Sequence, residues 1–467
     1  MNDFVASLLE KNVSIKERKI YDISVLFVPQ IVDRNFMADF LIRPLVETKE
    51  DKTFDNIMNK ILCIDAIEAQ ADFNQIEEFV LNGHAVIVVS NEPEYIVVDT
   101  KRVENRGVSS PQISFSLRGP KDSLNESLGI NLSLLRYRIK DNRLQTENFK
   151  VGRRTKTNVS MFYMQDVAND NIVAEVRKRI ADIDVDGILD SGELQQFLTK
   201  GKFQVFPQLG VIERSDTAAG AILEGKVVLL VEGSGLALVC PKVLVEYFAS
   251  SDDYYDNKFF GTYSKIIRYI SLFAMVLLMP LYVAAVTFKL QYFTPFNLEL
   301  VHDLRQNVPF SPMIEALLAV FIIELLREGL LRVPRDVGGA IGIAAGVILG
   351  DAIISGGILS IFTLIIATLS LLMSFTPSDF TIAHPFRIFQ PILIILAGFF
   401  GFWGVAGGLS FLLLVLAFHK SFGVPFLAPI IPFYGKDFLG TYYNSKTDIE
   451  TRPRFFWLKD KRRSKRN

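Results

Sequence analysis

Long apolar runs appear in this chain only after about Ile266, and that unevenness constrains the fold more than any single motif. A run of about 20 apolar residues crosses a bilayer as a helix, because the helix satisfies its own backbone groups. A mean hydropathy of +0.29 is too high for one ordinary globular domain. A charged fraction of 22% is too high for a chain wholly buried in lipid. The sequence therefore predicts an α/β amino-terminal region followed by an α-helical polytopic membrane domain and a basic tail. The net charge of −1 gives no reason to expect a nucleic-acid partner. The two cysteines, Cys63 and Cys240, show no CxxC or Cys/His spacing, so neither a disulfide framework nor structural zinc is expected. MNDFVASLLEKN lacks a basic start and a long apolar core, so the soluble region is expected in the cytoplasm.

That soluble region reads as a duplication. Residues 83–98 (GHAVIVVSNEPEYIVV) and 225–239 (GKVVLLVEGSGLALV) are both β-rich runs split by a turn, the pattern of a hairpin. Strands are expected at Val25–Val28 and Val159–Met164. Helical patterns follow at Asn35–Val46 and Ile172–Ile180, then at Asn74–Leu81 and Gly192–Leu198. The expected domains are a first α/β subdomain over 1–115 and a second over 151–260. Between them, 116–150 reads as a basic linker bearing Arg118, Lys121, Arg136, Arg138 and Lys140, with a helix over Leu124–Ile139 and a solvated face as the default.

The membrane domain is expected over 261–420, with four to six spans and an even count, and a cytoplasmic basic tail over 421–467. Ile270–Phe288 is the first span, preceded by Lys258, Lys265 and Arg268 on the inside. Lys289–Phe310 is an external loop and Pro312–Leu331 returns. Gly338–Phe375 is long for one span, so a glycine-rich half-helix plus a span over Ile353–Phe375 is expected. Ile388–Phe418 is similarly long, with Gly398, Gly401, Gly404, Gly407 and Gly408 as candidate breaks. The tail carries Lys459, Lys461, Arg462, Arg463, Lys465 and Arg466, the composition of a disordered segment at a membrane surface.

The chemistry concentrates in Pro312–Asp351. At about 1.5 Å per residue, Glu324 lies roughly 18 Å into a helix begun at Pro312, near mid-bilayer. A carboxylate at that depth costs several kcal/mol unless it meets water, a proton or a cation. Glu324 and Glu328 share a face, with Glu315 on the opposite side near the outer end. Two readings stand level: ion pairs with Arg327 and Arg332 inside a bundle, or a cation-attracting ring around a pore. Gly338, Gly342, Gly346 and Gly350 then form a stripe that admits close approach of another helix. Elsewhere, Asp182, Asp184, Asp186, Gly187 and Glu193 fit the spacing of a calcium loop, though no second loop accompanies it. His84, His302, His384 and His419 are scattered, and no triad, Walker loop or dinucleotide fingerprint is present. The residues support neither an enzyme nor a cofactor.

In order along the chain stand Arg118-Gly119-Pro120, Arg136-Tyr137-Arg138-Ile139-Lys140, Gly152–Lys156, Asp184-Val185-Asp186-Gly187-Ile188-Leu189, Glu213-Arg214-Ser215-Asp216 and Leu223-Glu224-Gly225-Lys226. The membrane region adds Val308-Pro309-Phe310, Glu315-Ala316-Leu317-Leu318, Glu324-Leu325-Leu326-Arg327-Glu328 and Arg332-Val333-Pro334-Arg335. In this order they resemble the A subunit of the spore germinant receptors, the GerA family of endospore-forming bacteria. The resemblance runs from about Val25 to Phe438. It implies a two-part cytosolic domain and a helical domain in the spore inner membrane. It also implies a self-oligomer acting as a nutrient-gated cation channel, a transporter-like B subunit that recognises the nutrient, and a lipoprotein C subunit. Two departures stand out. Ser215 replaces a usual proline, which implies a looser loop. Glu193 stands where the family usually carries an aromatic, which implies that the calcium pattern is acquired or accidental and makes a calcium site less expected. The expected function is therefore a receptor A subunit, with a non-conducting scaffold or a secondary transporter as alternatives.

Overall fold

The computed structural model describes residues 9, 15–29, 31–48, 51–64, 67–90, 92–100, 111, 119–201, 204–250, 252–255, 257–288, 305, 308–435, 437–438 and 452–462. The chain divides into two units: 1–200 with 209–241 and 451–467, and 201–208 with 242–450.

The first unit holds two five-stranded antiparallel sheets. The first subdomain opens with β1 (Lys16–Ile20) and β2 (Ile23–Phe27). Then come a helical segment α1 (Arg34–Phe36, π-helical Met37–Ile42, Arg43–Glu47) and α2 (Phe54–Asn56, π-helical Ile57–Ile61). β3 (Ile67–Gln70), α3 (Ile76–Leu81), β4 (His84–Val89) and β5 (Tyr95–Asp99) complete it. After α4 (Leu128–Arg138), the second subdomain repeats the order. It has β6 (Leu144–Val151), β7 (Thr157–Met164), α5 (Asp170–Ala181) and α6 (Ser191–Leu198). β8 (Gly210–Ile212), α7 (Ser215–Leu223), β9 (Val227–Val231) and β10 (Ala237–Cys240) follow. The strand orders are β1-β2-β4-β5-β3 and β6-β7-β9-β10-β8, one topology shifted by five. The duplication is real, and both hairpins lie where the sequence puts them.

The repeats align differently from the sequence expectation in one respect. Asn74–Leu81 precedes β4, so its counterpart is α7 before β9, whereas Gly192–Leu198 corresponds to α2. Matching glycines confirm the alignment: Gly83 and Gly225 each end a helix at positive φ (94° and 85°). Each donates its N–H to the carbonyl three residues back, Val80 at 3.2 Å and Ile222 at 2.9 Å. The central strands read as unbroken apolar runs because both sheet faces are covered. In β4, Ala85, Ile87 and Val89 pack with Leu41, Leu45 and Ile57, while Val86 and Val88 pack with Ile76 and Val80.

The basic segment over 116–150 is part of the fold where it is described; Arg118 lies outside the described residues. Its last residues form β6, paired along its length with β7. Arg136 is buried and donates to the Leu144 carbonyl at 2.8 Å, and burial pushes its guanidinium down to about 10. Arg138 Nη2 donates to both carboxylate oxygens of Asp122, and Arg138 Nε donates to the Ser215 hydroxyl at 2.8 Å. Ser215 is fully buried at the first position of α7 and donates to Asp122. The loop is therefore fastened, not loosened: the hydroxyl replaces the fixed φ that a proline would supply at a helix start. Replacing Ser215 by alanine is expected to cost about 1 kcal/mol, read as a lower urea midpoint, because Asp122 and Arg138 lose their shared partner.

The second unit is a helical bundle. Its helices are α8 (Lys258–Phe288), α9 (Pro312–Leu331), α10 (Arg335–Ser355), α11 (Ile361–Ser374) and α12 (Ala383–Phe418). Of the loop expected on the external side, residues 289–304 and 306–307 lie outside the described residues. Among the described residues, Phe259–Phe288, Val337–Ser355 and Ala383–Phe418 are long and apolar enough to cross a membrane, and Ile361–Ser374 is a shorter apolar helix. The chain turns at Gly356-Gly357, with Gly357 at φ 63°, and Ser360 caps α11. The segment expected over Ile353–Phe375 thus begins later, at Ile361.

Side-chain contacts fix the helix directions. Glu315 meets Ser360 and Arg327 meets Ser374, so α9 and α11 run the same way. Tyr282 meets Thr363 while the Met275 carbonyl meets Ser370, so α8 runs against α11. Arg387 meets Glu324 and Gly398 packs on Met313, so the first half of α12 runs against α9. α10 starts where Gly342 touches Leu330 and ends five residues before Ser360, so it returns along the bundle. α12 is two arms. Gly401 has φ 58° and ψ −139°, and a Cβ at Gly408 would meet the Leu393 side chain. Those two residues would stand about 22 Å apart in a straight helix, so the arms fold back on each other. The described helices make six antiparallel traverses that begin and end at the same side of the bundle.

Candidate functional site

Two ion-pair clusters lie on α9. The first surrounds Glu315, which is fully buried. Arg305 Nη1 donates to its Oε2 at 2.5 Å, and the Ser360 N–H donates to its Oε1 at 2.6 Å. A carboxylate at the start of α11 is favoured by the helix's unpaired N–H groups. Tyr282, Thr363 and Ser360 extend the cluster through their hydroxyls, with Tyr282 3.2 Å from Thr363 and Ser360 3.0 Å from Thr363.

The second cluster surrounds Glu324. Arg387 grips it with two donors, Nε at 3.0 Å from Oε1 and Nη2 on Oε2. Arg327 Nη1 reaches the same Oε1 at 3.3 Å, and its Nη2 donates to Ser374 at 3.0 Å. These groups line a small pocket with Ser370 and Gln390; Gln390 donates to Ser370 at 2.9 Å and to the Met275 carbonyl at 3.0 Å. Two guanidiniums face one carboxylate here, so the local sum is positive. Bidentate Arg–carboxylate geometry is the strongest such contact, and it ties α9 to α12.

Glu328 differs. It is exposed and, among the described residues, pairs only with Arg332, at 2.7 Å, on its own helix. Of the three cation-path candidates, Glu315 and Glu324 are thus held inside the chain and Glu328 faces outward. The expected pairing of Glu324 with Arg327 is present, yet its main partner is Arg387, which sequence reading missed. Arg387 stands one residue before the apolar run read as a span, and Arg305 lies in the segment read as a loop.

The glycine stripe is nearly bare. A Cβ at Gly346 or Gly350 would meet nothing within 4 Å, and one at Gly342 would touch only Leu330, at 3.4 Å. At Gly338 it would touch only Val333, at 3.8 Å. Only 6% of the most apolar window of α10 is buried within the chain.

The calcium-like loop is arranged for other work. Asp182 ends α5. Arg153 reaches Asp184 at 3.5 Å and Asp186 at 3.1 Å, and Arg154 reaches Asp186 at 3.7 Å. Glu193 accepts the Leu189 N–H at 2.7 Å, and Asp190 caps α6. Three carboxylates therefore point to arginines or to backbone, and no group of three metal-ligating side chains converges among the described residues. His419 packs edge-on to Phe426 at 4.8 Å, and His302 lies outside the described residues. Cys63 and Cys240 are both free, and burial pushes the Cys240 thiol up to about 12.

The family model described as Bacillus/Clostridium GerA spore germination protein matches residues 2–455. Spore germination protein KA of Bacillus subtilis is 31% identical over 92% of this chain and 79% of its own length. Spore germination protein GerLA of Bacillus cereus is 29% identical over 94% of this chain and 90% of its own. The crystal structure of the N-terminal domain of the A subunit of the Bacillus megaterium germinant receptor GerK3 is 25% identical, with a TM-score of 0.36, covering 50% of this chain and 92% of that one. The chain is a member of the GerA family of spore germination proteins.

Proposed function

We propose that this chain is the A subunit of a nutrient germinant receptor in the spore inner membrane, and that copies of it assemble into a nutrient-gated cation channel. The observation that carries the reading is the pairing of two neighbouring helices: charge-bearing α9, and glycine-striped α10, whose small-residue face finds almost no cover within the chain. Glycine stripes let helices of neighbouring copies approach closely. Glu328 then supplies carboxylates at the mouth of the path, where they concentrate cations. Glu324 contributes no free charge while Arg387 grips it, so the clasp acts as a closed-state latch and Glu315 as a structural ion pair. A transporter-like B subunit would recognise the nutrient and a lipoprotein C subunit would complete the complex, with the amino-terminal domain and the tail in the cytoplasm.

A second reading has its own support. All three acids of α9 are ion-paired within the chain, as a non-conducting scaffold for the B and C subunits would have them. Potassium efflux from liposomes carrying the assembled receptor separates the two. A channel gives efflux on nutrient addition, and a scaffold gives none.

A further inference from the structure

The carboxyl-terminal segment, read from its charges as a free basic tail, is built into the second β-subdomain over residues 452–462. Phe455, Phe456 and Leu458 are buried. The seat is made by the turn after β7 and the end of α7. The Lys459 N–H donates to the Val167 carbonyl at 3.1 Å, and Asn169 Nδ2 donates to the Phe456 carbonyl at 3.2 Å. Arg452 Nε donates to the Leu223 carbonyl at 3.0 Å, and Lys459 pairs with Asp170 at 2.7 Å. Gly225 matters twice: its φ of 85° ends α7, and its missing side chain leaves room for Leu458, whose Cδ2 would stand 2.5 Å from a Cβ there. The Lys226 ammonium lies 5.3 Å from the centre of the Phe456 ring. Arg452 closes the segment on itself through Asp460 at 2.9 Å and the Lys461 carbonyl at 2.8 Å. Arg463, Lys465 and Arg466 lie outside the described residues.

We infer that this segment is a strap belonging to the second subdomain, and that the membrane unit is therefore an insertion in the chain of the cytosolic fold, joined to it in sequence at both of its own ends. Two consequences follow from chain continuity. The second subdomain lacks part of its apolar surface cover until residues 452–462 arrive. The segment from 242 to 450 must also leave and return on one side of the membrane, so its crossings are even in number. The helix directions agree independently, since six traverses return the chain to the side from which it started. Three spans alone, the number of helices that pass on length and hydropathy, would put the strap on the wrong side.

The test uses the full-length chain in membrane vesicles, with a protease site placed within 440–449 and a different tag at each end. Cutting should leave the terminal fragment bound to the body through detergent extraction. In the double variant Phe456→Ser/Leu458→Ser, retention should fall at least tenfold. Both tags should be reached by added protease in inverted vesicles and by neither in right-side-out ones. Release of the wild-type fragment overturns the inference without reference to any variant. So does cleavage of the two tags from opposite sides. Co-expression of two differently tagged chains adds a further check: a fragment recovered on the other chain's body would also overturn the own-chain seat.

Discussion

Replacing Gly401 by leucine is expected to abolish recovery of a folded, monodisperse protein in detergent. The residue has φ 58° and ψ −139°, a combination that only glycine adopts without strain. Forcing a side chain there costs about 1–3 kcal/mol in backbone alone. The Cβ would also come to 3.0 Å from the Phe288 ring, and Phe288 ends α8, which packs along both arms of α12. The arms cannot ease apart, because Gly404 and Gly408 bring them into direct contact with Leu396 and Leu393. Gly407 is the control. A Cβ there meets nothing within 4 Å, so Gly407→Ala should leave yield and thermal midpoint within about 1 °C of wild type. A leucine at Gly401 that leaves the thermal midpoint unchanged would mean that α12 is one straight helix and that the count of six traverses is wrong.

Glu324→Gln is expected to destabilise the contact between α9 and α12. It leaves Arg387 and Arg327 facing each other with no carboxylate between them. Breaking a fully buried pair costs about 3–5 kcal/mol, and the partial exposure of Glu324 lowers the expectation to roughly 1–3 kcal/mol. The double variant Glu324→Gln/Arg387→Gln should recover most of that loss, because it removes the orphaned charge along with its partner. If the clasp is a latch, both variants should also germinate or conduct at lower nutrient concentration than wild type. Single and double variants that are equally unstable would mean that Arg387 is not the partner that matters. Unchanged nutrient dependence in both would remove the clasp from gating.

Much of this fold was legible in the sequence, and the parts that were not share physical reasons. The hairpins β4–β5 and β9–β10 showed because central strands covered on both faces must be apolar throughout. The edge strands β1 (KERKI) and β6 (LQTENFKV) are rich in charged and polar residues; β1 gave no strand signal and β6 fell within the segment read as a linker. β8 is three residues long and owes its existence to β10. The misaligned third helix has a similar cause. α7 (SDTAAGAIL) is small and apolar on most sides, so it lacks the amphipathic stripe that marks α5 and α6. In the membrane unit the glycines that could break Ile388–Phe418 were visible, but only the backbone angle of Gly401 shows which one turns. The acids of α9 were equally visible as expensive charges. Their partners were not, because Arg387 sits 63 positions from Glu324 and only helix packing brings the two together. At the carboxyl end the basic residues drew the reading toward a free tail. The signal against it was Phe455-Phe456-Trp457-Leu458 just before them, an apolar run of which three residues find a seat in the second subdomain.

The claim that this chain conducts is tested most directly by nutrient-triggered potassium efflux from liposomes carrying the complete receptor, wild type against Glu328→Gln. Glu328 is the acid of α9 whose only partner among the described residues is the exposed Arg332, so its substitution perturbs the bundle least. The account predicts efflux that starts on nutrient addition and falls roughly two- to fivefold in the variant, with oligomer size unchanged, as expected for losing a charge at the mouth of a cation path. A wild-type complex that binds nutrient and passes no potassium, or a variant that passes it at the wild-type rate, would contradict it.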